Sequence, residues 1–163
     1  MKLETLNDLY LEQLKDLYSA ENQLVVAMPK MEAKATNPQL KAAFKMHLAE
    51  TEHQLQRLTQ IFQELGMDGG GHECKAMKGI IKEGDELMAQ DADPDVMDAG
   101  LIAAAQRVEH YEISGYGTAC TYAKQLGHTK ALALLKETIN EEKMADEKLS
   151  IIAESHVNLE AEH

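Results

Sequence analysis

The chain has 163 residues, 44% of them hydrophobic and 27% charged, a make-up that fits one folded domain over residues 1–163 and excludes disorder for the bulk of it. Twenty-eight acidic residues against 16 basic ones leave a formal net charge of −12, which repels nucleic acid and anionic membrane surfaces and favours cations as partners. No apolar run approaches the ~20 residues of a membrane span, and the N-terminus lacks the basic start and apolar stretch of a signal peptide, so a cytoplasmic location is expected.

Cys74 and Cys120 lie far apart with no Cys-x-x-Cys spacing, which removes zinc-ribbon and thioredoxin-like chemistry and leaves two free thiols. The residue choice leans to Ala, Leu, Glu, Lys, Gln and Met, with no Trp and few β-branched runs, and predicts an all-α fold. From Leu3 to Met28 apolar residues recur at helical spacing until Pro29, which either kinks or ends the first helix. Asn37-Pro38 supplies an N-cap and a first-turn proline for a second helix that runs to Leu65, before Gly66. Gly66 to Glu73 reads as a loop, and Cys74 to Gln90 as a short amphipathic crossover helix weakened by Gly79 and Gly84. Asp93-Pro94 opens a third long helix that stops at Gly127, and a fourth begins near His128-Thr129 and fades after Ser155. Four long helices with a long crossover in the middle predict a four-helix bundle of ferritin-like topology, with a short extra helix between the second and third.

Each long helix is expected to bury a heptad-spaced apolar stripe, and three of these stripes are interrupted by acids. The first runs Leu14, Leu17, Glu21, Leu24, Met28; the third runs Leu101, Ala105, Val108, Glu112, Gly115, Ala119; the fourth runs Leu135, Ile139, Glu142, Asp146, Leu149. The second helix carries Glu50 and His53 in a Glu-x-x-His motif, and the third repeats the three-residue spacing with Glu109 and Glu112. Most single glutamates on long helices are solvated, so it is the position within apolar stripes that singles these out. Acids converging in a core are retained when cations compensate them, which points to two metal ions; carboxylates with one imidazole suit iron or manganese better than zinc. His47, one turn before Glu50, competes with His53 as ligand or as its neighbour. His72, His110, His128 and His163 are assigned no chemistry, while Tyr18 and Tyr116 stand where they can reach a ligand carboxylate.

The runs LYSAENQL, HLAETEHQLQRL, VEHYEISGYG and EEKMADEKL, placed in order on four helices, resemble the YciF-like bacterial stress-protein family within the ferritin-like di-metal superfamily, with a rubrerythrin-like Glu-x-x-Glu on the third helix. Carried over by position, the resemblance implies Glu21, Glu50, His53, Glu109, Glu112, Glu142 and Asp146 as metal residues, with Glu50 and Glu112 as candidate bridges. Asp146 departs from the pattern, since rubrerythrin-like sites place a histidine there. The resemblance implies a homodimer and a stress-response role. The resulting expectation is a di-iron or di-manganese protein reacting with peroxide or dioxygen and supplied by an external electron donor. The alternatives are a non-enzymatic metal-storage bundle and a partner-binding protein with a vestigial site.

Overall fold

A computed structural model describes residues 3–162. Helix α1 spans Leu6–Lys34, α2 Pro38–Glu64, α3 Lys75–Met88, α4 Pro94–Leu126 and α5 Thr129–Ile152, followed by a π-helical turn at Ala153–Val157 and a last turn, α6, at Asn158–Glu160. No strand occurs among the described residues. Local chemistry sets the boundaries. Thr5 and Asp8 form a reciprocal capping box at the start of α1. The Asn37 side chain accepts from the backbone N–H groups of Gln39 and Leu40, and Asp93 accepts from that of Asp95, each cap followed by a first-turn proline. Gly127, with φ +78°, closes α4 in the left-handed conformation that a side chain disfavours. Pro29 does not end α1, which continues to Lys34. The ring sits on the exposed face, so the backbone bond it removes is lost on the solvent side of the helix.

The helices pair α1 with α2 and α4 with α5, and the two hairpins meet through α1 against α4 and α2 against α5. The α1–α2 turn lies at the start of α4, and Tyr10 near the start of α1 stacks on His128 at the α4–α5 turn, so α4 runs antiparallel to α1. The chain leaves α2 at the end of the bundle opposite the start of α4, and α3 carries it back. That return crosses the groove between α1 and α4, where Met77 and Cys74 pack on Ala20, Leu24, Met28 and Val108. At Gly115, α4 passes so close to α1 that an added Cβ would stand 2.8 Å from Leu17 Cδ2.

The apolar interior falls into two ends. Leu40, Phe44, Leu101, Ile102, Leu149 and Ile152 fill one. Leu14, Leu17, Leu58, Ile61, Tyr116 and Leu135 fill the other. The first end is pinned by Asp98, only 1% exposed, which accepts from Thr36 N at 2.9 Å, Thr36 Oγ1 at 2.7 Å and Asn37 N at 2.6 Å. One carboxylate of α4 thereby satisfies the backbone of the α1–α2 turn.

Asp98→Ala strands two backbone N–H groups and is expected to cost about 2–4 kcal/mol. In a domain of this size that corresponds to a drop of roughly 4–12 °C in the thermal unfolding midpoint followed by circular dichroism. A fall of less than ~1 °C would show that the turn is held without the aspartate.

Candidate metal centre

Between the two apolar ends, all four long helices turn a polar residue inward at the same level. Glu21 comes from α1, His47, Thr51 and Gln54 from α2, Glu109 and Glu112 from α4, and Thr138 and Glu142 from α5, every one of them buried. Heptad geometry places Glu21 and Glu112 in this layer, because each occupies a stripe position with buried neighbours one turn away on either side, Leu17 and Leu24 for Glu21, Val108 and Tyr116 for Glu112. The α1 stripe Leu14, Leu17, Glu21, Leu24, Met28 is buried throughout, as is Leu101, Ala105, Val108, Glu112 on α4.

His47, Glu109, Glu112 and Glu142 bring one potential ligand atom each to within 4.8 Å of one another. His47 Nδ1 lies 3.1 Å from Glu50 Oε2, and Nε2 lies 3.1 Å from Glu109 Oε1 and 3.7 Å from Glu142 Oε2. The Nε2 contacts are close in distance but lack the alignment of a hydrogen bond, so they are charge contacts. The rest of the layer is held from outside. Tyr116 O–H donates to Glu21 Oε1, and Gln54 Nε2 donates to Glu142 Oε1. Beyond Gln54, Arg57 clamps Glu141 through two contacts of 2.7 Å, tying α2 to α5.

The ordinary protein partners run out here. Glu21 Oε2, Glu109 Oε2, Glu142 Oε2, both oxygens of Glu112, His47 Nε2 and Gln54 Oε1 are buried without a hydrogen-bond partner, seven of the eight such side-chain atoms found among the described residues. Burial pushes the Glu21 carboxyl up to about 8, against the lowering effect of the Tyr116 hydrogen bond. Burial, and then the neighbouring carboxylates, lift Glu112 well above the usual carboxylate range. Glu142 is raised by burial and by the adjoining Glu109 carboxylate. Glu109 takes the opposite course. Burial pushes it up, but His47 and the adjoining Glu142 carboxyl together hold it below its ordinary value. His47 in turn is lifted by Glu109, Glu50 and Glu142 despite its own burial. Without a cation, burial and mutual repulsion favour the neutral form of Glu21, Glu112 and Glu142, while Glu109 and His47 favour each other's charged form.

Of the residues singled out by sequence, Glu21, Glu109, Glu112 and Glu142 stand together in this layer. Glu50 sits at its edge with a side chain 31% exposed, against the far nitrogen of His47. His53 is exposed and lies outside the layer. At about 100° per residue, a step of three from Glu50 carries His53 a further ~60° out of the bundle, whereas His47 lies on the inward side of Glu50. Asp146 is also outside, half-buried between Gln106 Nε2 and His110 Nε2, each 3.2 Å away, so His110 has a partner where none was assigned. Its spacing from Glu142 fixes the face but not the depth. His163 lies outside the described residues. Tyr18 turns its ring edge to Phe62, and only Tyr116 of the two tyrosines reaches a layer carboxylate.

Along its whole length, at 44% identity over 164 residues, the chain is similar to the protein YciF of Escherichia coli (strain K12), covering 99% of it. The crystal structure of that stress protein superposes with a TM-score of 0.91 over 96% of this chain and 99% of its own. The structure of YcfI from Rhodopseudomonas palustris is 45% identical, with a TM-score of 0.88 over 91% of this chain and 95% of its own. A structure of ferritin-like, diiron-carboxylate proteins from Bacillus anthracis str. Ames, only 16% identical, matches 92% of this chain and 99% of its own with a TM-score of 0.70, which shows the ferritin-like fold. A family model described as a domain of unknown function, DUF892, matches residues 5–162, and with so similar a relative over its full length the chain belongs to that family.

Proposed function

We propose that the acid layer holds two metal ions, iron or manganese, and that the protein uses them in a reaction with peroxide or dioxygen. The observation that carries this reading is the set of seven buried, unpartnered polar atoms in one layer. Native interiors leave only a few such atoms scattered through a domain, so their concentration in one layer calls for a water or an ion as partner. The donor set fits: several carboxylates and one imidazole converge from four helices, the composition that oxygen-preferring transition metals take in helical bundles. His47, Glu109, Glu112 and Glu142 would hold one ion, and Glu21, through its free Oε2, would reach the second. Glu112 has both oxygens free and lies nearest in charge contact to Glu21, which makes it the bridging candidate.

When bound, a reduced metal pair supplies the two electrons that cleave an O–O bond. The chain's own residues do the rest. Glu50 accepts from the Nδ1–H of His47 and so fixes the tautomer that leaves Nε2 free for a metal. Tyr116 and Gln54 each occupy one oxygen of a layer carboxylate and leave the other available. The apolar ends above and below keep bulk water away and strengthen every charge contact inside. Cys74 and Cys120 are both free and sit on different helical surroundings, so the reading requires electrons from an external donor.

Replacing the imidazole separates the two histidines. His47→Ala is expected to remove most of the iron or manganese that the purified protein takes up, while His53→Ala keeps it, with metal counted per chain by elemental analysis after loading. If both variants keep about two ions per chain, the site lies elsewhere. At metal concentrations about a hundredfold above the dissociation constant, binding only to the folded state adds about 2.7 kcal/mol. That is a rise of roughly 5–10 °C in the unfolding midpoint, absent in the His47→Ala variant.

Stability should also depend on pH in a direction set by the layer. Glu21, Glu112 and Glu142 bind protons more tightly when folded than when unfolded. The Glu21 contribution to the chelator-treated protein is fully present below pH ~4.5 and is lost as pH rises toward about 8, and Glu112 and Glu142 act in the same direction. The unfolding midpoint in chelator is therefore expected to fall across that window, and added iron or manganese to reverse the fall. A midpoint that rises with pH in chelator would contradict a layer of protonated acids.

A further inference from the structure

The methionines play no part in the acid layer, and they differ sharply in depth. Met28, Met77 and Met97 are buried in the core, whereas Met46, Met67 and Met144 are 45%, 39% and 69% exposed. Among the described residues two methionine sulfurs receive a polar hydrogen, Met28 from the Thr51 hydroxyl at 3.5 Å and Met46 from Lys148 Nζ at 3.9 Å. The first pair is closed off from any solute. The second joins α2 to α5 at the surface, on the outer side of a cavity of about 250 Å³ whose inner lining includes His47, Glu50 and Glu109. Lys148 forms no ion pair among the described residues, so its charge is not committed to a carboxylate.

A cation beside a thioether matters for one reaction above all. In oxidation by hydrogen peroxide, a sulfur lone pair attacks the nearer oxygen, the O–O bond breaks, and its electron pair departs on the far oxygen. That oxygen takes up a proton and leaves as water, while the sulfur-bound oxygen loses its own proton to give the sulfoxide. One thioether and one peroxide thus yield one sulfoxide and one water, with sulfur losing the two electrons that the peroxide gains. For a methionine in water the proton comes from solvent. At Met46 a donor is already in place: Lys148 faces one lone pair of the sulfur, the other stays open to the peroxide, and the flexible lysine chain follows the departing oxygen. Lys148 regains its proton from the sulfur-bound oxygen, and the polar sulfoxide it leaves behind is a better acceptor for its N–H than the weakly accepting thioether.

We propose that Met46 is a peroxide-sensitive modification site, converted to its sulfoxide ahead of the other exposed methionines because Lys148 serves as its proton donor. The site requires no metal and stands whether or not the acid layer is loaded.

The test exposes full-length, chelator-treated protein to hydrogen peroxide and follows the gain of one oxygen atom at each methionine by peptide mass spectrometry. Met46 is expected to oxidise about 3- to 10-fold faster than Met67, its near equal in exposure, and faster than the more exposed Met144; a fully positioned general acid contributes ~10²–10⁴-fold. Methionine sulfoxide reductase should remove the oxygen. Lys148→Gln is expected to bring Met46 within ~2-fold of Met67. Lys148→Arg should do the same, since a guanidinium keeps the charge but does not give up a proton. Unchanged rates at Met67 and Met144, and continued protection of Met28, Met77 and Met97, show in the same digest that each variant is folded. Equal rates at Met46 and Met67 in the unaltered protein overturn the proposal. So does a faster Met46 in Lys148→Gln, which would mean that the lysine shields the sulfur, or a full rate in Lys148→Arg, which would assign the effect to charge alone.

Discussion

Four carboxyl groups buried side by side in the middle of a helical bundle are the constraint around which the rest of this structure is arranged. Transferring even one ionised carboxylate out of water without compensation costs several kcal/mol, and here Glu21, Glu109, Glu112 and Glu142 share one layer with a single imidazole. The bundle answers in two ways. It surrounds the layer with two well-filled apolar ends, so that the helices hold their register without help from the acids. It also gives one oxygen of Glu21 and one of Glu142 a neutral donor, Tyr116 or Gln54, which restrains the carboxyl without neutralising it. Leucines in those positions would carry no such cost, so the acids are there at the expense of stability.

The charge of the chain takes on a different meaning in this light. Read from composition, −12 is a property of the surface. Four of the acidic side chains lie in the inner layer and a fifth, Asp98, is consumed by the α1–α2 turn, so the outer face is less acidic than the count implies. The two groups are buried for opposite reasons. Asp98 meets backbone and hydroxyl donors on both oxygens and is a structural tie, whereas Glu112 meets none. Burial alone does not separate a ligand from a strut; the difference lies in whether the protein supplies donors of its own.

Much of this was legible in the sequence, because a heptad stripe is a statement about depth. Glu21, Glu112 and Glu142 interrupt such stripes, and all three are fully buried. The caps at Asn37 and Asp93 and the stop at Gly127 were equally readable, since their chemistry is local. The Glu-x-x-His spacing fixes Glu50 and His53 relative to one another and not relative to the core, and His53 stands exposed. The α2 stripe carries the depth: Leu40, Phe44, His47, Thr51, Gln54, Leu58 and Ile61 alternate by four and three, and every one is buried. His47 and Gln54 stand in that series and His53 does not. Asp146 followed a sound spacing rule, but its capture by Gln106 and His110 depends on how α4 and α5 pack, which no single-helix pattern contains. The Asp98 tie was invisible for a related reason, its main partners being backbone N–H groups 61 and 62 residues away.

The crossover shields one side of the layer. Helix α3 lies over the α1–α4 groove and packs Met77 and Cys74 into it. The α2–α5 groove has no such cover. Its Gln54 and Arg57 contacts to Glu141 and Glu142 close it at one level, and the cavity beside His47 and Glu109 opens at the next. The long connection that a four-helix topology of this kind requires therefore does more than join two hairpins. By shielding the α1–α4 face of the acid layer it leaves the α2–α5 face, with His47 on it, without a covering helix among the described residues.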